Sequence, residues 1–299
     1  MRHFVSVFAG VGAAFSMAGC GGSTGAETDQ GSASATSTAA SSGEGGTVSS
    51  STKTSTSSST SDGDGRSEAS STSRSSGAFA TSQETDRYIF EYSWPAAAGS
   101  IPALDAMLTA RMEKERDQLQ RYAAEAARDA KADDIPFFQH SSYTEWEVAA
   151  NTPRFLSLFT GVSTYAGGAH PNLHYDAILW DKQAGKALAA GELFKSRSAF
   201  ENRVSGPMCD ALDAQREERR GMKVERGSGG MFEDCPALED VVITFASSGG
   251  TAFDRINFLF APYVAGPYAE GTFEVTLPMT AALLDMVKPQ YREAFAVRR

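Results

Sequence analysis

The chain has 299 residues, with 27 Lys and Arg against 37 Asp and Glu and a formal net charge of −10. That length is enough for one large domain or two packed halves. The acidic balance argues against a nucleic-acid partner, since phosphate contacts need Lys and Arg, and suits attraction of a basic partner over a Debye length.

The chain opens like an export signal. Arg2 supplies a basic start, Phe4 to Met17 form an apolar stretch, and Ala18-Gly19 lead into Cys20. Positive end, apolar run and small residues are the order of a secretory signal. The run of roughly 14 residues is shorter than the ~20 needed to cross hydrocarbon. The Ala18-Gly19-Cys20 string resembles the lipobox of bacterial lipoproteins, although Met17 stands where leucine is more usual. This predicts a signal peptide over 1–19 and a lipidated Cys20, with the membrane as partner through that lipid. The remainder then lies outside the cytoplasm, at the cell envelope. Gly21 rather than aspartate follows the cysteine, which resembles sorting to the outer membrane, facing the periplasm, in a Gram-negative host.

Residues 20–83 read as a tether. From Gly21 to Ala78 there is no aromatic residue, and Val48 is the one large aliphatic side chain. Such a Ser/Thr/Gly-rich segment buries too little apolar surface to offset ordering entropy, so the composition predicts disorder. As a coil of ~60 residues it would reach on the order of 40–45 Å.

Residues 84–299 carry the folded part, read as one domain or as packed halves 84–150 and 151–299. Arg87 to Trp94 is a strand by its aromatic content. Ser100 is placed as the N-cap of a long amphipathic helix whose apolar stripe is Ile101, Leu104, Leu108, Met112, Leu119, Tyr122 and Ala126. Strands follow at Tyr143–Val148, Arg154–Tyr165 and Leu173–Trp180. Asp181 to Gly185 then turn into a short strand ahead of Glu192-Leu193-Phe194. Ser198–Arg220 reads as helix interrupted at Gly206-Pro207. Strands at Val241–Phe245, Arg255–Phe260 and Thr272–Leu277 precede a last helix over Thr280–Val287. The order predicts an α+β fold, with a mainly antiparallel sheet, a long N-terminal amphipathic helix and further packed helices.

Cysteine usage fits an oxidising compartment. With Cys20 lipidated, Cys209 and Cys235 remain to form a disulfide. It would close a loop of about 27 residues and contribute roughly 3–4 kcal/mol. The charged, glycine-rich segment it encloses has little to bury, and two unpaired structural thiols are the alternative.

No catalytic constellation is legible. His170 and His174 stand four apart, but Gly167, Gly168 and Pro171 exclude a helix there, and in extended chain they lie roughly 13 Å apart. No metal site and no cofactor is expected. There is no G-x-S-x-G elbow, and Glu145, Glu147, Asp176 and Glu192 form no specific carboxylate pair; Glu145 and Glu147 alternate with Trp146 and Val148, which fits an exposed strand face. Two strings are unusual. In Tyr165-Ala166-Gly167-Gly168-Ala169-His170-Pro171-Asn172 a double glycine permits positive φ, with an imidazole just beyond. The second, Phe260 to Gly271, is dense in turns and presents Tyr263 and Tyr268. Tyr165, His170, Asn172, Tyr263 and Tyr268 are the candidate binding residues. The alternatives are a tight strand connection with a structural histidine, and edge packing of the tyrosines.

Further strings accompany these two: Asp181-x-x-x-Gly185-Lys186 with Glu192-Leu193-Phe194, and Phe258-x-Phe260-x-Pro262-Tyr263-x-x-Gly266-Pro267-Tyr268-Ala269-x-Gly271 closing with Glu274-Val275-x-Leu277-Pro278. Together they resemble the RsiV-like extracytoplasmic domain, the outer part of lysozyme-sensing anti-sigma factors and the N-terminal module of peptidoglycan deacetylases of the PdaC kind. The resemblance covers roughly Arg87 to Phe295. It implies an α+β fold and a cell-envelope ligand, either a lysozyme-type glycosidase or peptidoglycan, and it carries over no catalytic residue. The expected function is a lipid-anchored envelope binding module, not an enzyme, that binds or inhibits a lysozyme-type protein. A peptidoglycan-binding module and an envelope glycan hydrolase or deacetylase-like enzyme are the alternatives.

Overall fold

A computed structural model describes residues 54–61 and 67–298. The expected signal peptide, Cys20 and most of the expected tether lie outside the described residues. Strands nevertheless begin well before residue 84. β1 (Thr54–Ser61), β2 (Ser67–Ser75) and β3 (Ala78–Glu84) form an antiparallel ladder. Composition misses them because the first two bury no apolar face. They are held by backbone pairing and by hydroxyls meeting across strands, as with Ser58 and Ser70 at 2.8 Å. β2 and β3 join through Ser76 and Gly77, both at positive φ, the geometry of a two-residue type I′ turn. Gly77 also lies against Gly99 so closely that a Cβ on either would strike backbone. β3 already belongs to the core, since the Phe79 ring stacks on Trp94 at 4.0 Å.

β4 (Tyr88–Trp94) buries Tyr88, Phe90, Tyr92 and Trp94 on one face by strict alternation. A single helical turn, α1 (Ala96–Gly99), follows. Ser100 is not the N-cap of the next helix. It closes α1, donating its hydroxyl to the Ala96 carbonyl at 2.6 Å, and Pro102 opens α2 (Pro102–Ala132) at a position whose N–H would be unpartnered anyway. The buried stripe of α2 is Leu104, Leu108, Met112, Ala123 and Ala130. Tyr122, placed on that stripe from sequence, is exposed, because the 3.6-residue period carries the face through Ala123 instead.

β5 (His140–Glu145) pairs parallel with β4 across the α2 crossover, and β5 and β6 (Glu147–Asn151) both lie along β7 (Phe155–Tyr165). β8 (Asn172–Asp181) and β9 (Lys186–Leu188) complete a nine-stranded sheet, with β6 beside β7 and the other strands ordered β1-β2-β3-β4-β5-β7-β8-β9. α3 (Arg197–Arg220) is continuous through Pro207. The residue before a proline usually avoids helix because its Cβ meets the ring, and Gly206 has no Cβ. Buried Val204, Met208 and Leu212 then hold both sides of that position in one core. β10 (Val242–Ala246), β11 (Arg255–Phe260) and β12 (Phe273–Pro278) form a second, antiparallel sheet ahead of α4 (Ala281–Met286). The fold is thus α+β, with a mixed, mostly antiparallel main sheet and two long helices.

Two apolar cores lie on opposite faces of the main sheet. α2 covers one face over Phe90, Tyr92, Trp146, Leu156, Leu158, Ile178 and Trp180. On the other, Phe155 and Leu179 join the second sheet and α3. Residues 84–150 and 151–299 therefore share one sheet, with β7 and β8 feeding both cores. The Cys209–Cys235 disulfide is formed, its Cα atoms 5.6 Å apart.

Candidate functional site

His170 sits in the loop between β7 and β8. Gly167 and Gly168 both hold positive φ, near +92° and +103°, and a Cβ on Gly167 would lie against Phe138. Tyr165 closes this loop, its hydroxyl donating to the Gly168 carbonyl at 3.1 Å. The Pro171 carbonyl can only accept, so the 2.9 Å contact from His170 Nδ1 places the ring proton there. In a neutral imidazole Nε2 is then the acceptor, and the Tyr263 hydroxyl donates to it at 3.1 Å. The imidazole also stacks on Tyr268, with ring centroids 3.6 Å apart and planes within 13°. Tyr263 and Tyr268 are 6.1 Å apart.

The structure thus gathers His170, Tyr263 and Tyr268 into one aromatic cluster from segments 93 residues apart. Tyr263 is 54% exposed and holds φ +70°, rare for a non-glycine residue. Its amide donates to the Gly266 carbonyl at 2.8 Å. Tyr165 supports the loop rather than joining the stack. Asn172 is exposed at the first position of β8, opposite Thr164.

The acidic candidates disperse. Asp176 pairs with Arg111 on the α2 side. Glu192 accepts the Ala189 amide at 2.7 Å, capping its own turn. Glu145 and Glu147 lie elsewhere, on a surface that sequence reading did not assemble. Because β4 and β5 bury alternate residues under α2, their other residues face away: Ile89, Glu91 and Ser93 on β4, Tyr143 and Glu145 on β5. Glu84 pairs with Ile89, Glu91 with Tyr143, and Glu147 with Phe159. The second sheet packs across β6, β7 and β8, which leaves Glu84, Glu91, Tyr143, Glu145 and Glu147 exposed. No Lys or Arg occurs in β3, β4, β5, β6 or β7. The available signal was the two-residue alternation Tyr143-x-Glu145-x-Glu147 and Ile89-x-Glu91. The register Ser141↔Tyr165 and Tyr143↔Ser163 places Tyr143 and its neighbour Glu91 toward the sheet end where the His170 loop leaves, with Glu147 further along, opposite Phe159.

Crowding shows in the titration of these groups. Lost hydration, then Glu145 and Glu274, push the Glu147 carboxyl above its ordinary value, and burial does the same to Glu274. Burial, followed by the fields of Glu91 and Glu84, raises the Tyr143 phenol. A raised carboxyl holds its proton more tightly in the folded state. Its stabilising contribution is therefore full below the unfolded value and lost as pH rises through the folded one. Glu147→Gln is accordingly expected to be more stable than the parent at neutral pH, with the difference vanishing in acid. Urea midpoints between roughly pH 3 and 8 check this, and a variant weaker than the parent at neutral pH would contradict the crowding.

Among the described residues, no group of three or more His, Cys, Asp or Glu is arranged to hold a metal ion, and no helix is long and apolar enough to cross a membrane.

No match is found among curated proteins. Several solved structures resemble the chain, two of them from the DUF3298 family. One is a member of the DUF3298 family from Bacteroides fragilis, with 15% identity, a TM-score of 0.47, and coverage of 80% of this chain and 94% of that one. The other is a DUF3298 family protein from Pseudomonas aeruginosa, with 18% identity, a TM-score of 0.43, and coverage of 72% and 91%. A family model bears on the site more directly. Residues 81–173, which run from β3 to the start of β8 and include the open face and the His170 loop, match the family described as Deacetylase PdaC.

Proposed function

We propose that this chain is a binding module of the bacterial cell envelope, anchored to the membrane by lipid at Cys20, and that it binds a basic, lysozyme-type glycosidase. The supporting observation is the uncovered sheet face bearing Glu84, Glu91, Glu145 and Glu147 with no Lys or Arg in its strands. A surface of one sign speeds encounter with an oppositely charged partner and disfavours others. The His170–Tyr263–Tyr268 cluster stands on the loop that follows β7, beyond the Tyr143 end of this face, and offers amphipathic rings of the kind that anchor protein interfaces. The module binds without turning substrate over.

Calorimetry and association kinetics of the chain carrying Cys20→Ala, titrated with lysozyme, test this. Saturable binding is expected, with an association rate falling about tenfold or more between about 50 and 500 mM salt. The quadruple variant Glu84→Gln, Glu91→Gln, Glu145→Gln, Glu147→Gln is expected to weaken binding at least about tenfold, or about 1.4 kcal/mol. Unaltered affinity in that variant overturns the reading.

The second reading, peptidoglycan, is favoured by one observation. The exposed Tyr263 ring beside the His170–Tyr268 stack is a surface on which a sugar face can pack. It predicts co-sedimentation with insoluble cell wall that Tyr263→Ala abolishes.

A further inference from the structure

The loop that carries Tyr263 and Tyr268 is irregular. Its own hydrogen bonds are short-range turns: Val264 N–H to the Ala261 carbonyl, Tyr263 to Gly266, Glu270 to Pro267 and Gly271 to Tyr268. Tyr263 and Gly271 both hold positive φ. Turns of this kind do not fix where a loop lies on the body of a protein. Ala265 seats the loop in the core beside the second sheet, and three arginines on the last turns of α3 fasten it there.

Arg216 is wholly buried. Its Nε donates to the Ala265 carbonyl at 2.7 Å, between the two tyrosines in sequence. Arg220 reaches the same carbonyl and also forks onto Glu270, with Nε to Oε1 at 2.9 Å and Nη2 to Oε2 at 3.1 Å. A two-point guanidinium–carboxylate fork fixes orientation as well as distance. Arg219 donates to the Glu270 and Thr272 carbonyls at 2.6 and 2.7 Å, its guanidinium lying 3.8 Å from the centre of the Phe273 ring.

The other side of each buried guanidinium is held by the segment that the disulfide closes. Arg216 Nη1 donates to the Asp234 carbonyl and to Asp213. Arg220 Nη1 donates to Glu233 and to the Phe232 carbonyl. Glu233 in turn accepts the Glu225 amide, and Asp234 accepts that of Gly227. Cys235 follows directly, bonded to Cys209 on α3 two turns before Arg216. The disulfide loop, the arginines and the tyrosine loop therefore form one chain of contacts.

We propose that Arg216, Arg219 and Arg220 are positioning residues for the His170–Tyr263–Tyr268 cluster, and that the Cys209–Cys235 bond is the fastening on which their geometry depends. The role in binding rests on the reading that the cluster contacts the ligand; the role in positioning does not. Opening the disulfide frees Glu233 and Asp234, which leaves Arg220 and Arg216 to relax away from Glu270 and Ala265. Tyr268 then loses its place beneath the imidazole.

The test uses the full chain with Cys20→Ala and two readouts. The first is the proton resonances of the His170 ring, which a tyrosine stacked at 3.6 Å shifts upfield, together with amide exchange over 263–271. The second is affinity for lysozyme and for cell wall. Arg220→Gln and the double variant Cys209→Ser, Cys235→Ser are each expected to return the His170 resonances towards free-histidine positions. Both should speed exchange over 263–271 at least about tenfold while β11 stays protected, and affinity should fall with the same variants. Where a variant loses β11 protection, Arg219→Leu and mild reduction of the parent replace it with the same expectation. Unmoved His170 resonances and unchanged exchange in the variants that keep β11 protected overturn the proposal. Moved resonances in a protein whose parent binds neither ligand uphold the positioning role and sink the binding reading alone.

Discussion

Replacing Trp146 by alanine is expected to cost about 3–5 kcal/mol of folding stability, the largest effect of any single side chain in the α2 core. The indole is buried between β5 and β6 against α2. Its Nε1 donates to the Tyr92 hydroxyl at 2.9 Å, its backbone amide donates to the Ser93 carbonyl at 3.0 Å, and the Arg111 guanidinium lies 5.1 Å from its ring. Alanine leaves a cavity and removes the donor that Tyr92 faces. Burial already pushes that phenol far above the ordinary tyrosine range, so it cannot compensate by ionising. Trp146→Phe keeps most of the ring and isolates the hydrogen bond, with an expected loss of about 1–2 kcal/mol. Urea unfolding with matched m-values separates the two. Equal losses would mean that the hydrogen bond, not the volume, dominates.

The second large effect is expected at Asp181. Its carboxylate is buried at the end of β8, accepting Arg154 Nη2 at 3.1 Å through one oxygen and the amides of Gln183 and Ala184 at 3.0 and 3.1 Å through the other. Arg154 also donates to the Gln290 carbonyl and lies over the Tyr291 ring, so Asp181 ties the β8–β9 turn to the C-terminal segment. Asp181→Leu strands the guanidinium and two turn amides, at about 3–5 kcal/mol. Asp181→Asn retains an acceptor and should lose about 1–2 kcal/mol. Below the unfolding transition neither should change lysozyme affinity. A loss of binding in Asp181→Asn at full stability would mean that this turn contacts the ligand.

That contrast separates two kinds of motif in the sequence. Asp181-x-x-x-Gly185-Lys186 stood out because it builds a turn, whereas Tyr165–Asn172 and Phe260–Gly271 stood out because each is irregular. Nothing in one sequence says that two irregular strings touch. His170 meets Tyr263 only through the register of β7 with β8 and the placement of the second sheet, neither of which a local pattern encodes. Tyr165 and Asn172 came along with the same string, and the structure gives them other places.

Periodicity explains what was legible. β4 alternates aromatic and small or polar residues, and α2 repeats its leucines at helical spacing, so both were readable to within a few residues. β1 and β2 have no apolar alternation, and their order comes from a neighbouring strand edge. Pro207 argued for a break that its preceding glycine and the surrounding core made unnecessary. The carboxylate face was written in alternation, but only the burial of the opposite residues by α2 shows which side of each strand meets water. The Cys209–Cys235 bond was readable from cysteine arithmetic, while the arginines it organises were not, because a charged helix end reads as solvated.

The hydroxyl-rich hairpin at the edge of the main sheet also has a mechanical consequence. Thr54 pairs with Arg74 at the hairpin's open end, and among the described residues no strand lies beyond β1. A load applied at Thr54 therefore strips β1 from β2 one residue pair at a time instead of shearing all the pairs together. Peeling proceeds at low force and yields roughly 25 Å of slack from eight residues. The aromatic core begins only at Phe79 and stays intact meanwhile. In a protein held from its N-terminal side, this edge acts as an extensible coupling that yields before the carboxylate-bearing face deforms.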